Sequence, residues 1–243
     1  MFGELLKKIS LHLLCVILNI FILYSCKETE NTSPHNNKVD DTYDINKNEI
    51  PKLVNADYIE LQKIYRISKF RSSVGHSYTD NFESCRSMKH YFELKNYVDW
   101  STIKIFSPVN GVVSKIYQEW AGTQIQIKSK EIPAFYFIIF HINLSAQMNV
   151  GDSVKAGQHL GNHIGSQTMS DIAVGVNTPE GWRLLSYFDV MSDTIFTLYK
   201  NRGINSRSEL IITKEARDAD TLICNGNTFT TYGMLENWVV LSE

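Results

Sequence analysis

The sequence predicts a mainly β protein with helices added at both ends of its folded part. Three observations carry that expectation. Residues 102–106, 112–118, 123–128 and 134–142 are dense in β-branched and aromatic side chains, the composition of half-buried strands. Gly151, Gly157 and Gly161 punctuate the stretch between Asn149 and Ile164 into short strands and turns. Helical periodicity is plausible only in residues 57–67 and 190–202.

The first segment reads as an address. Lys7 and Lys8 give a basic start, and residues 9–24 are apolar apart from Ser10, His12 and Asn19. That run is short and interrupted for a membrane span and fits an export signal. It ends Leu23-Tyr24-Ser25-Cys26, which resembles the lipobox of bacterial lipoproteins. The resemblance implies removal of residues 1–25, lipidation of Cys26, and a cell-envelope protein held on a membrane, the outer membrane being expected, on its periplasmic or surface face. An ordinary secretory signal and an uncleaved anchor helix remain the alternatives. Residues 26–50 are rich in Asn, Asp, Lys and Thr and read as a polar tether. Residues 51–243 are expected to form one β domain, with no internal linker or repeat.

Composition excludes some classes outright. The 243-residue chain has 24 Lys+Arg against 26 Asp+Glu, so it offers no basic footprint for nucleic acid. A hydrophobic content of 43% argues against disorder. Its four cysteines, at 15, 26, 85 and 224, lack the C-x-x-C spacing of a zinc ribbon. With Cys15 in the signal and Cys26 lipidated, Cys85 and Cys224 are expected to pair in an oxidising compartment. A reactive thiol at Cys85, with a histidine as base, is the sharper alternative.

The middle of the chain carries the chemistry. It reads Ser107-Pro108-Val109-Asn110-Gly111-Val112-Val113, then an apolar strand ending Phe140-His141-Ile142, then Gly151-Asp152-Ser153-Val154-Lys155-Ala156-Gly157-Gln158-His159-Leu160-Gly161. This combination resembles the lysostaphin-like, LytM-type zinc endopeptidases that cut cell-wall cross-links, over about residues 74–178. The resemblance implies an antiparallel, glycine-rich β-sheet or sandwich of the duplicated-hybrid-motif type. Lipoyl and biotinyl carrier domains share the strand pattern, but no Met-Lys-Met tripeptide is present.

The family's H-x-x-x-D motif is matched by His76 and Asp80, which the resemblance marks as metal ligands. A neutral imidazole and a carboxylate suit zinc. His141 falls at the place of a histidine that contacts the reacting water. The family then closes its site with H-x-H on a late strand, where alternate side chains share a face. Here that strand reads Ser170-Asp171-Ile172-Ala173-Val174-Gly175-Val176. Ile172, Val174 and Val176 form its core face, leaving Asp171 at the catalytic position and Ala173 at the ligand position. Alanine cannot bind zinc. Asp171, His163 and His90 are the candidate replacements for the third ligand.

Three functional readings follow. A catalytically degenerate domain binds cell-wall peptide or a partner protein, and the loss of both H-x-H histidines favours it. An active zinc metallopeptidase would have a remodelled ligand set, with zinc as cofactor. A purely structural surface lipoprotein would have no affinity for wall fragments. Tyr117, Trp120, Phe135 and Tyr136 are expected in the core more often than along a groove, and the same holds for Trp182, Tyr187 and Phe188.

Overall fold

Strand-forming sequence dominates residues 41–243, the part of the chain described by the computed structural model. The signal, lipidation and most of the tether expectations fall on residues 1–40, outside the described residues. The body begins before the expected boundary at 51. The Tyr43 ring packs edge-on against Phe135 at 5.3 Å, its amide donates to the Asn177 carbonyl, and Ile45 and Ile50 also rest on the core. Residues 43–50 therefore belong to the folded part.

Thirteen strands occur among the described residues: β1 (Ile64–Ser68), β2 (His90–Leu94), β3 (Lys104–Phe106), β4 (Gly111–Glu119), β5 (Gly122–Ser129), β6 (Phe135–Leu144), β7 (Ser153–Val154), β8 (His159–His163), β9 (Ser170–Thr178), β10 (Gly181–Leu185), β11 (Cys224–Asn225), β12 (Thr228–Phe229) and β13 (Trp238–Val240). Their main sheet runs β13-β1-β2-β9-β6-β5-β4-β7, with β10 on β9 and β8 joining β3 to β6. Every ladder between these strands is antiparallel. The mainly antiparallel β class expected from the sequence is the class observed.

The four strand-rich segments became β3 to β6, and the late strand became β9. Helix α1 (Asp193–Lys200) lies inside the expected helical segment and starts at Ser192, whose hydroxyl accepts from the Ile195 amide. A second short helix, α2 (Lys214–Ala219), is capped in the same way by Thr213. The helix expected over residues 57–67 is absent. That segment is a 3-10 turn at Leu61–Lys63 followed by β1. Its apolar residues Ile64 and Ile67 are fully buried, and β1 pairs on both sides, so tertiary pairing overrides the local periodicity. Both α-helices thus lie between β10 and β11 in the chain, and none precedes β1 among the described residues.

The sheet has two apolar faces. Ile172, Val174 and Val176 of β9 point into the main core with Ile125, Ile127, Phe137 and Ile139. A smaller cluster covers the other face, built from Phe70, Met88, Ile138, Phe140, Ala173 and Leu184. The core-face assignment made for β9 holds. The opposite face of β9 is covered rather than open beyond Asp171. Trp182 of β10 lies so close over Gly175 that a Cβ there would meet its ring at 1.9 Å.

Candidate functional site

Asp171 stands at the start of β9, opposite Tyr91 of β2, and is completely buried. Alternation along β2 puts His90 and Phe92 on one side and Lys89 and Tyr91 on the other. The Lys89 ammonium forms an ion pair with Asp171 Oδ2, and the lysine side chain is only 1% exposed. The same nitrogen lies 3.3 Å from His76 Nε2. Three rings surround it: Phe140 at 4.1 Å, and Tyr78 and Tyr91 at 5.0 Å each. Cation–π attraction of this desolvated kind contributes about 2 kcal/mol.

His141 reaches the cluster through a local irregularity of β6. Between Thr123↔Ile142 and Ile125↔Ile139 the β6 strand spends one residue more than β5, which is a bulge. His141 sits in it with φ of 62°, a conformation that costs a non-glycine residue about 1–2 kcal/mol. The bulge re-aims the ring so that Nε2 lies 3.2 Å from Asp171 Oδ1, while Nδ1 lies 2.9 Å from the Ala121 carbonyl. Both ring nitrogens face acceptors, so the imidazolium form satisfies both.

The electrostatics agree with this geometry. Burial works against charge on His141, and the bond to Asp171 outweighs it, holding the ring's pKa above the ordinary value. Burial would raise Asp171, but Lys89 and His141 bring it below the usual carboxylate value. Burial pulls Lys89 down, and Asp171 more than restores it. His76 is lowered by burial and by the neighbouring ammonium. Its Nε2 accepts from Lys89, so its Nδ1 carries the proton, 3.0 Å from the Ser77 carbonyl. The centre therefore sets the Lys89 ammonium, and the His141 ring whenever it is protonated, around one carboxylate.

Asp80 is elsewhere. Its Oδ1 accepts from the Phe82 and Glu83 amides at 2.9 and 3.0 Å, and its Oδ2 from the Leu184 amide at 2.9 Å. The carboxylate staples the motif loop to β10. His76 and Asp80, expected to share a metal, have different partners here: His76 faces Lys89, and Asp80 is spent on backbone amides. Ala173, at the expected third-ligand position, is buried in the smaller apolar cluster. His90, offered as a substitute, is a core histidine bonded to the Ser68 carbonyl at 2.8 Å and the Ser186 hydroxyl at 2.9 Å. His163 packs on Trp100, and its ring centroid is 6.4 Å from that of His141. Among the described residues no three His, Cys, Asp or Glu side chains stand close enough to hold a metal ion. Nor do the donors fit the family's zinc set, because an ammonium fills the convergence point and one expected ligand is engaged elsewhere.

Lys89 was missed in the sequence. Its signal was present: Met88-Lys89-His90-Tyr91-Phe92-Glu93-Leu94 is a strand-like run in which Lys89 shares a face with Tyr91.

The cluster forms the floor of a cleft of about 870 Å³. Trp100, Trp120, Tyr78 and Asn227 line it together with the 166–169 loop. Trp120, at the β4–β5 turn, is 84% exposed, so the expectation of a core position fails for this aromatic. Tyr117 is also largely exposed, Tyr136 is partly covered, and Phe135, Tyr187 and Phe188 are core residues as expected. The His76 loop is fixed by Gly75, whose φ is 70° and whose Cβ, if present, would meet the Tyr91 hydroxyl at 2.2 Å. The expected Cys85–Cys224 disulfide is formed and ties this loop to the β11–β12 hairpin. The Ser77 amide donates to the Asn227 carbonyl at 2.7 Å across that junction.

Acid is expected to weaken the fold through the neutral histidines. Burial lowers His90 from 6.5 to about 4, and burial likewise lowers His163 to about 4. The unfolded chain takes these protons first, so stability falls as pH drops from about 6.5 towards about 4, by about 3 kcal/mol for His90 alone. The raised His141 opposes this only above its unfolded value, since its contribution is fully present below 6.5 and is lost as pH rises through its folded pKa. Urea unfolding at about pH 7 and about pH 4.5 measures the difference, and equal midpoints would contradict the neutral assignment.

No protein-family model matches the chain, and a search of curated proteins finds no match. Among solved structures the chain is similar to a LytM structure from Ruminococcus gnavus described as a glycyl-glycine endopeptidase (17% identity over 58% of this chain and 60% of that one, TM-score 0.36). It is also similar to lysostaphin (17% identity over 46% and 49%, TM-score 0.29). A third similar structure is the M23 metalloprotease pseudoalterin (15% identity over 58% and 75%, TM-score 0.35). The chain spans less than two thirds of the first two relatives' own length. These are likenesses of fold at low identity.

Proposed function

We propose that this protein binds cell-wall peptide, or a peptide segment of an envelope partner, in the cleft above the Lys89–Asp171 pair, without cutting it through zinc. One observation supports the reading: His76 and Asp171 both face a buried ammonium, that of Lys89, and Asp80 is committed to backbone amides. A hydrolytic zinc needs three protein ligands and an open position for water, and that arrangement is not assembled here. The cleft's size and its mixture of aromatic walls with polar rim groups suit a short peptide. The wall peptide as ligand comes from the sequence resemblance. So does the envelope location, with a lipid anchor on Cys26 preceded by a cleaved signal.

The full-length chain is incubated with purified peptidoglycan, with and without zinc, and both retention and peptide release are measured. Retention without release, weakened several-fold by Trp120→Ala, is the expected result. Zinc-dependent release that disappears in His76→Ala would establish the active-peptidase reading instead. Neither retention nor release would leave the structural reading. Loss of the protein from the membrane fraction in Cys26→Ser tests the anchor.

A further inference from the structure

We infer that the free edge of β4 pairs with the same edge of a second copy of this chain, as antiparallel strands in a register centred on Tyr117.

The edge is long and uncovered. The main sheet ends at β13 on one side and at β4 with β7 on the other. β13 has only three residues, whereas β4 has nine. β7 covers the first part of β4, through its pairs with Gly111 and Val112 and through the Val113 amide, which donates to the Asp152 carbonyl. Beyond Val113, among the described residues, no strand pairs with β4 on that side. The uncovered stretch reads Ser114-Lys115-Ile116-Tyr117-Gln118-Glu119, with no proline or glycine to interrupt a further ladder. Such an edge is a template for another strand.

The side chains select which strand fits. Between Val113 and Lys115, β4 spends one residue more than β5, and this bulge exchanges its two faces. Val113 is buried and Ile116 rests on the main core, while Lys115, Tyr117 and Glu119 all stand exposed. Lys115 and Glu119 form no ion pair among the described residues. When a second β4 lies antiparallel with Tyr117 opposite its own copy, Lys115 faces Glu119 of the second copy. The two-fold axis repeats the pair, so both charges on each edge meet their opposites. Sliding one strand by two residues loses both pairs, and sliding it by four sets like charges opposite each other. An edge lysine ordinarily keeps other strands away, and here the strand that neutralises it is the chain's own β4. Glu119 also lines the cleft, so two copies joined in this way open their clefts on the same side of the continued sheet. The pairing does not depend on the ligand proposed for the cleft, and Lys115 lies outside the cleft lining.

Sedimentation of the full-length chain across the micromolar range is compared for wild type, Lys115→Glu, Glu119→Lys and the double reversal Lys115→Glu/Glu119→Lys. Wild type is expected to dimerise. Each single change makes both cross-strand pairs repulsive and should weaken the dimer at least about tenfold. The double reversal should restore it, and a mixture of the two single variants should form a heterodimer. The changed side chains are exposed, and either single variant suffices if the other folds poorly. The register has its own readout on mild oxidation. Tyr117→Cys should cross-link to itself beyond the wild-type level, whereas Lys115→Cys should not, because its two copies would stand about 13 Å apart along the strands. Wild type that stays monomeric, or a dimer that neither single change weakens, would overturn the inference. Lys115→Cys cross-linking faster than Tyr117→Cys would overturn the register. Retention of folded Lys115→Glu on peptidoglycan is a separate readout, so the cleft proposal and this one fail separately.

Discussion

Replacing Asp171 by alanine is expected to cost about 3–5 kcal/mol of stability, the range for removing one partner of a buried ion pair. Asp171 is fully buried and is the carboxylate that faces both Lys89 and His141. Without it, His141 can shed its proton, but Lys89 has only aromatic faces and the His76 lone pair to balance its charge. The loss is read as a fall in the urea midpoint at near-neutral pH. A second variant separates charge pairing from mere packing. Lys89→Met with Asp171→Leu removes both charges and keeps the volume, and such replacements are often neutral or stabilising. The double variant should therefore be more stable than Asp171→Ala. An Asp171→Ala change within about 1 kcal/mol of wild type would mean that the ion pair is not the organising contact of the site.

The second large effect concerns the loop that carries His76. The Cys85–Cys224 bridge closes a loop of 139 residues in sequence separation. On the chain-entropy account, opening so long a loop costs on the order of 4–5 kcal/mol. Cys85→Ser/Cys224→Ser should lower the unfolding free energy from urea titration by that amount, and reductant should lower wild type to the same level while leaving the variant unchanged. Some order should survive, because Arg71 and Arg86 both bind Glu83, and Arg86 also binds Asp218 from the far side of the junction. Midpoints insensitive to reductant would show that these ion pairs, rather than the bridge, hold the segment.

The strand ladder was legible in the sequence because its signals are local. β-Branched runs and glycine turns marked β3 to β6 and β9, and the apolar set of β9 identified its core face. The disulfide was legible for a different reason: two cysteines were left after the signal and lipid positions were assigned. Lys89 escaped because its meaning is not local. A lysine in a strand ordinarily points to solvent, and only the docking of β2 against β9 places this one beside Asp171. Asp80 misled for the converse reason. Its spacing from His76 was right, but three backbone amides compete for its carboxylate, and that competition exists only once the motif loop is folded against β10. The early helix failed similarly, since residues 64–68 are claimed as a strand by partners far away in sequence.

A positive charge carried on a side chain cannot be withheld, exchanged or chelated. Proteins that complete a site with zinc depend on the metal supply of the compartment in which they fold. The Lys89 ammonium is delivered by the ribosome, in the same copy number as the chain, and is available from the moment β2 meets β9. On the reading proposed above, in which the centre works without zinc, a cell starved of transition metals would assemble it as readily as one with an abundant supply.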